Sequence, residues 1–93
     1  MENIEVTHKE KKHRFIALVN GYEARLKYKL RGDVMEIYKT EVPHELRGQG
    51  IGNKLMEIVL NYAKEHHYKI KPTCSFSLKI MEKNPDYKLM IAD

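Results

Sequence analysis

Three glycines stand at alternate positions in the segment Val42-Pro43-His44-Glu45-Leu46-Arg47-Gly48-Gln49-Gly50-Ile51-Gly52. Glycine lets a backbone approach a bulky ligand and take conformations closed to other residues. If the chain passes here from strand to helix, the first N–H groups of the helix are unpaired and lie at the positive end of its dipole. Such an arrangement cradles an anion, most commonly a phosphate. The first turn that follows, Ile51-Gly52-Asn53-Lys54, carries no Asp or Glu, which suits an incoming negative group. Arg47 and Lys54 are candidate phosphate partners by charge alone. The plain alternative is a glycine-rich connection that binds nothing.

Two better-known phosphate loops do not fit. A Walker loop needs Gly-Lys-Ser/Thr after its last glycine, and Gly52 is followed by Asn53. A dinucleotide fingerprint needs G-x-G-x-x-G after an early parallel strand, and here the spacing is G-x-G-x-G in mid-chain. Cys74 is the only cysteine. It precedes an apparent helix N-terminus, a place that favours thiolate, although free cysteines are usually buried and inert. No intrachain disulfide and no cysteine-rich zinc site are possible. His8, His13, His44, His66 and His67 do not fall at ligand spacing with acids or thiols, so no metal is expected. His66 and His67 close a helix, where cations suit the dipole.

The elements that position these groups follow from hydropathy. The chain has 93 residues and 11.0 kDa, with 42% hydrophobic and 32% charged residues. That composition builds one folded domain, residues 1–93, with a modest core. No run approaches ~18 apolar residues, which excludes a membrane-spanning helix. Met1-Glu2-Asn3-Ile4-Glu5 has no apolar leader, and the expected location is cytoplasmic. Net charge is 17 − 13 = +4, and residues 1–31 hold all of the excess, eight Lys/Arg against four Asp/Glu. The later residues hold nine of each. The imbalance suits an anionic small molecule and also weak nucleic-acid contact.

The first half reads as antiparallel sheet. Ile4–Val6 is a weak strand, and Lys9–Arg14 a solvated turn. Phe15–Val19 is a continuous apolar run that suits a strand covered on both faces. Asn20-Gly21 is a two-residue hairpin signal. It sets Val19, Ala17 and Phe15 opposite Tyr22, Ala24 and Leu26, all on the core face. A second turn at Gly32-Asp33 pairs Leu30 with Met35, Lys29 with Glu36 and Tyr28 with Ile37. Further along, the same register drives Lys39 and Glu41 inward and Thr40 and Val42 outward. A bulge near Tyr38–Thr40 repairs the conflict.

The second half changes period. From Gly50 to about Tyr68, Ile51, Leu55, Ile58, Val59, Tyr62 and Ala63 follow helical spacing. Lys69–Thr73 is a short strand, expected parallel to that at 34–42 because a helix separates them. A second helix over about Ser75–Lys83 should turn Phe76, Ile80 and Met81 inward, with Asn84-Pro85 stopping it. The tail Tyr87–Ile91 is apolar enough to dock back. The fold class is α+β: a meander of about four antiparallel strands, then helix, parallel strand and second helix.

Arg47-Gly48-Gln49-Gly50-Ile51-Gly52 resembles the R/Q-x-x-G-x-G/A loop of the GCN5-related N-acetyltransferases. Pro72-Thr73-Cys74-Ser75-Phe76 and Asn84-Pro85-Asp86-Tyr87 are similar to a compact subgroup of small acetyltransferase-like proteins. The resemblance covers roughly residues 4–91. It implies a minimal acyl-CoA N-acyltransferase fold with acetyl-CoA lying between the strands at 34–42 and 69–73. Backbone groups near Glu41 and Val42 would hold the pantetheine arm, with Val42 N–H as oxyanion donor. The pyrophosphate would sit on the N–H groups of residues 47–53. The cofactor-binding set so implied is Glu41, Val42, Arg47, Gly48, Gln49, Gly50, Ile51, Gly52, Asn53 and Lys54, with Cys74 and Tyr87 at the thiol end. Cys74 becomes a candidate acetyl acceptor. His44, or Glu41 through a water, becomes a candidate base for an attacking amine.

The resemblance implies transfer of acetyl to a primary amine of a small molecule, peptide or protein, directly or through Cys74. Two departures stand against full carry-over. Residues 75–83 contain no tyrosine to act as general acid, and the chain lacks the early helices that wall the acceptor site in larger members. A module that binds acetyl-CoA without turnover is the second reading. A small nucleic-acid binder using Arg25, Lys27, Lys29 and Arg31 is the third and weakest, because that strand face carries no interleaved aromatics for stacking. The expected state is a monomer.

Overall fold

Asn20 and Gly21 reverse the chain with φ of 51° and 82°, the positive values a tight hairpin turn requires. The register is the one the alternation demands: Val19 opposes Tyr22, Ala17 opposes Ala24 and Phe15 opposes Leu26. The structure, a computed structural model, describes residues 4–92. Five strands form one sheet in the order β1 (Glu5–Lys9), β2 (Arg14–Val19), β3 (Tyr22–Arg31), β4 (Val34–Glu41) and β5 (Lys69–Pro72). The first four are antiparallel and β5 runs parallel to β4. Helix α1 (Ile51–Glu65) makes the crossover, and α2 (Ser75–Glu82) and α3 (Pro85–Lys88) follow β5.

The expected bulge is present. Leu30, Lys29 and Tyr28 oppose Met35, Glu36 and Ile37, but Lys27 opposes Lys39, so Tyr38 is the extra residue. Without it Lys39 and Glu41 would face the core. With it Thr40 takes the core side opposite Leu26, and Glu41 faces outward opposite Arg25.

One face of the sheet supplies Phe15, Leu26, Tyr28, Met35, Ile37 and Ile70 to the core. Helix α1 lays Ile51, Leu55, Val59 and Ala63 on it, joined by Met56 and Leu60. Burying such side chains stabilises by ~1.5–3 kcal/mol each. Ile58 and Tyr62 sit at the margin, half-buried. The helix ends three residues before Tyr68: His67 takes φ 59° and the Tyr68 amide turns back to the Ala63 carbonyl at 2.8 Å.

Some expectations are corrected. Phe15–Val19 is covered on one face only, since Leu18 is 46% exposed and Ile16 half-buried. Tyr22, at the hairpin end, has the expected partner but is 43% exposed. In α2 the buried residues are Ser77 and Met81; Phe76 is exposed and Ile80 half-buried. Asn84 does more than end α2: its side chain accepts from the amides of Asp86 and Tyr87 and so starts α3. The tail docks on the outer edge of β5, where Ile70 gives its amide to Met90 and accepts from Ala92, both at 2.7 Å. No described helix is long and apolar enough to cross a membrane.

Candidate functional site

Pairing of β4 with β3 continues to Glu41, but pairing with β5 ends at Ile37 opposite Pro72. The chain turns out of the sheet there: the Thr73 amide folds back to the Lys71 carbonyl at 3.1 Å, making Pro72 the centre of a three-residue turn. The ring of proline holds φ near about −65°, close to what such a turn needs. Thr73 is then tied to β4 through its hydroxyl, which donates to Glu36 at 2.7 Å. Cys74 gives its amide to the Ile37 carbonyl at 3.1 Å. Beyond Ile37 the β5 side of β4 has no strand partner.

The direction of the backbone groups along that free edge follows from alternation. Tyr28 donates its amide to His13 on the β2 side. Leu26, two residues earlier on the same strand, therefore also aims its polar groups away from β4. Thr40 opposes Leu26, so its own N–H and C=O point into the opening.

The glycine segment closes one end of the opening. A short 3-10 turn over His44–Leu46 buries Leu46, and Arg47 donates from Nε to the Val42 carbonyl at 3.2 Å. Gly48 and Gly50 both take φ of 78°, where any side chain is strained. Gly50 begins α1 and has no side chain to cap it; the first intrahelical bond is Lys54 N–H to Gly50 C=O at 3.0 Å. The amides of Ile51, Gly52 and Asn53 thus have no partner within the helix. Gly52 differs from the other two. It is buried, and a β-carbon there would lie 2.7 Å from Cζ of Phe76.

A cavity of ≈ 430 Å³ lies between these parts. Of the expected binding residues, Val42, Arg47, Gly48, Gly50, Ile51, Gly52 and Asn53 line it. Thr40, Leu46 and Phe76 line it too, and sequence reasoning missed them as site residues. For Thr40 the signal existed, because the bulge that turns Lys39 outward must turn Thr40 inward. Glu41, Gln49, Lys54, Cys74 and Tyr87 do not line it; Gln49 donates to the Glu45 carbonyl at 3.1 Å, and Lys54 pairs with Glu57 at 3.1 Å. Tyr87 is half-buried against the core on α3.

The three candidates for chemistry are placed differently. Cys74 is the residue before α2, with Sγ 3.7 Å from the Thr40 hydroxyl. Burial opposes its ionisation, but the Ser77 amide, the Thr40 hydroxyl and the Phe76 amide favour thiolate, and the net pKa is lowered. No amide of α2 makes a hydrogen bond of full geometry to the sulfur; the effect is that of dipoles aimed at it. His44 is exposed and does not line the cavity. Glu41 turns its carboxylate to the outer face, 3.2 Å from Lys27 and 3.7 Å from Lys39. Lys27 above all holds it below the usual carboxylate range, which weakens it as a base. Among the described residues no group of three or more His, Cys, Asp or Glu could hold a metal.

The arrangement offers an extended ligand two kinds of bond. Unpaired helix amides suit a diphosphate, and a bare strand edge suits an amide-bearing arm that pairs as a strand would. Comparison with known proteins gives the family. Residues 14–90 match the family described as GCN5-related N-acetyl-transferase. Protein NATD1 of Gallus gallus is 33% identical over 85 residues, 88% of this chain and 77% of that protein. The Homo sapiens protein NATD1 is 32% identical over 85 residues, covering 88% and 75%. The solution structure of a GCN5-like protein from Staphylococcus aureus superposes with a TM-score of 0.77 at 32% identity, covering 99% of this chain and 91% of that one. The chain belongs to the GCN5-related N-acetyltransferase family.

Proposed function

We propose that the protein binds acetyl-CoA in the opening between β4 and β5 and transfers the acetyl group to a primary amine. The carrying observation is the juxtaposition of the free β4 edge beyond Ile37 with the uncapped start of α1. The amides of residues 51–53 would receive the pyrophosphate, and the Thr40 and Val42 backbone would pair with the pantetheine arm. The thioester carbonyl would then lie near Cys74. In transfer, the amine nitrogen forms a bond to the carbonyl carbon, the carbon–sulfur bond breaks, the thiolate leaves and the nitrogen gives up a proton. In the two-step route Cys74 takes the acetyl first and the amine displaces it.

A second reading is supported by one observation. Among the described residues Arg47 is the one charged residue lining the cavity, and none of His44, Glu41 and Cys74 lines it. A chain so equipped could hold acetyl-CoA without turning it over. Titration with acetyl-CoA, read by backbone amide shifts, is expected to move residues 40–54; unmoved amides sink both readings. Release of free thiol on adding amine acceptors then separates them, since shifts without release leave the binding module. Incubation with labelled acetyl-CoA before acceptor tests the cysteine route, which is sunk by absence of label on Cys74 together with full activity of Cys74→Ala.

A further inference from the structure

The outer face of the sheet carries no described helix, since α1 packs on the opposite face and α2 packs on α1 through Ser77 and Met56. Across it runs a single cross-strand row. Lys9 of β1 opposes Arg14 of β2, Arg14 opposes Lys27 of β3, and Lys27 opposes Lys39 of β4. Four cations thus stand side by side on four adjacent strands, at a spacing of ~4.8 Å, roughly 14 Å in all. Like charges directly opposite one another destabilise a sheet. Among the described residues one carboxylate, Glu41, pairs with the row, and it serves Lys27 and Lys39 at its β4 end. Among the described residues Arg14 forms no ion pair, and its Nε is buried without a hydrogen-bond partner. Four like charges in a row are a cost to the sheet that a negatively charged occupant would lower.

The row has a direction. Lys39 lies just past Ile37, the last residue of β4 paired with β5, so the row ends at the opening. We infer that the Lys9–Arg14–Lys27–Lys39 row docks an extended acidic polypeptide and that this polypeptide carries the acceptor amine to the opening. Carboxylates at alternate positions of an extended chain lie about 6.6–6.8 Å apart, so three of them match the length of the row. Ile16 and Leu18, on the same face of β2, offer apolar contact beside it. A nucleic acid fits this face less well. Glu5, Glu23, Glu36 and Glu41 share it and would repel a phosphate backbone, whereas a peptide brings both signs. Tyr38 is the aromatic side chain standing in this face, and Lys29 already covers its ring at 5.1 Å. The docking stands on the row itself; only its consequence for the acceptor rests on the proposed acetyl transfer.

The experiment uses fluorescent peptides of equal length, each with one lysine, flanked by alternating Glu or by alternating Gln, and a single-stranded oligonucleotide as third probe. Binding is followed by anisotropy without acetyl-CoA at two salt concentrations. The Glu peptide is expected to bind at least about tenfold more tightly than the Gln peptide at low salt and to lose that advantage at high salt. The double variant Lys9→Gln/Arg14→Gln is expected to lose most of the preference while its acetyl-CoA titration stays as in wild type. Equal binding of the two peptides, or an unchanged preference in the variant, overturns the proposal. Tighter binding of the oligonucleotide than of the Glu peptide overturns it in favour of nucleic acid. Because the acetyl-CoA titration is read separately, failure of the cofactor reading cannot be mistaken for failure of the docking.

Discussion

The Phe76 ring occupies the space that a β-carbon on residue 52 would need, with Cζ 2.7 Å and Cε2 3.0 Å from that point. This contact joins the first turn of α1 to the first turn of α2 and shapes one wall of the cavity. The ring is on a movable, partly exposed side chain. Gly52→Ala should therefore push the ring aside rather than unfold the chain. Alanine is also the better helix former, by up to about 1 kcal/mol. The melting temperature should change little while acetyl-CoA affinity falls about tenfold, or about 1.4 kcal/mol. Calorimetric titration of Gly52→Ala and of Gly52→Ala/Phe76→Ala checks this. Unchanged affinity in the single variant would show that the wall plays no part.

Gly50 carries a different demand, because its φ of 78° opens the helix and aims the free amides. Gly50→Ala should destabilise by ~1–2 kcal/mol. Gly50→Asn should lose less, since asparagine tolerates left-handed backbone. Urea unfolding of the two variants gives the order, and equal losses would contradict it.

The Cys74 thiol should ionise below its ordinary value of 9.0. The midpoint of its alkylation rate against pH should accordingly lie below that value. Thr40→Val removes one of the groups that favour the thiolate and should move the midpoint up. No movement would mean that the 3.7 Å contact does not act on the sulfur.

At the far end of α1 the His8 ring stacks on Phe15, 3.9 Å between centroids, and its Nε2 lies 2.6 Å from the Tyr28 hydroxyl. Burial chiefly lowers the His8 pKa; Glu10 opposes the shift, and His66 and His13 add to it. Burial also pushes Tyr28 up to about 12, so its hydroxyl stays protonated beside the imidazole. A histidine with a depressed folded pKa contributes stability that is complete above about pH 6.5 and is lost as pH falls through the folded value. The melting temperature should be flat from pH 8 to 7 and fall below 6.5, more steeply than in His8→Gln. Parallel profiles would remove His8 as the source.

Much of the sheet was legible because period-two alternation and two short turns over-determine register. The bulge was legible for the same reason, as the only way to reconcile Ile37 with Val42. The face of α2 was not, because eight residues give little periodicity and Phe76 serves the cavity rather than the core. The glycine segment and Cys74 were visible as residue types, and the bulge already implied an outward Glu41, but its pairing with Lys27 and Lys39 needed the side-chain geometry. The cation row could not be read from the chain: Lys9 and Arg14 flank a 3-10 turn, and Lys27 and Lys39 meet them only through three strand pairings.

The turn centred on Pro72 cuts β5 to four residues. A longer ladder would zip shut the space beside Thr40, since unpaired main-chain groups on facing strands seek one another. The width of the entrance is thus written into the course of the main chain. Surface side chains around it are free to diverge while the aperture keeps its shape.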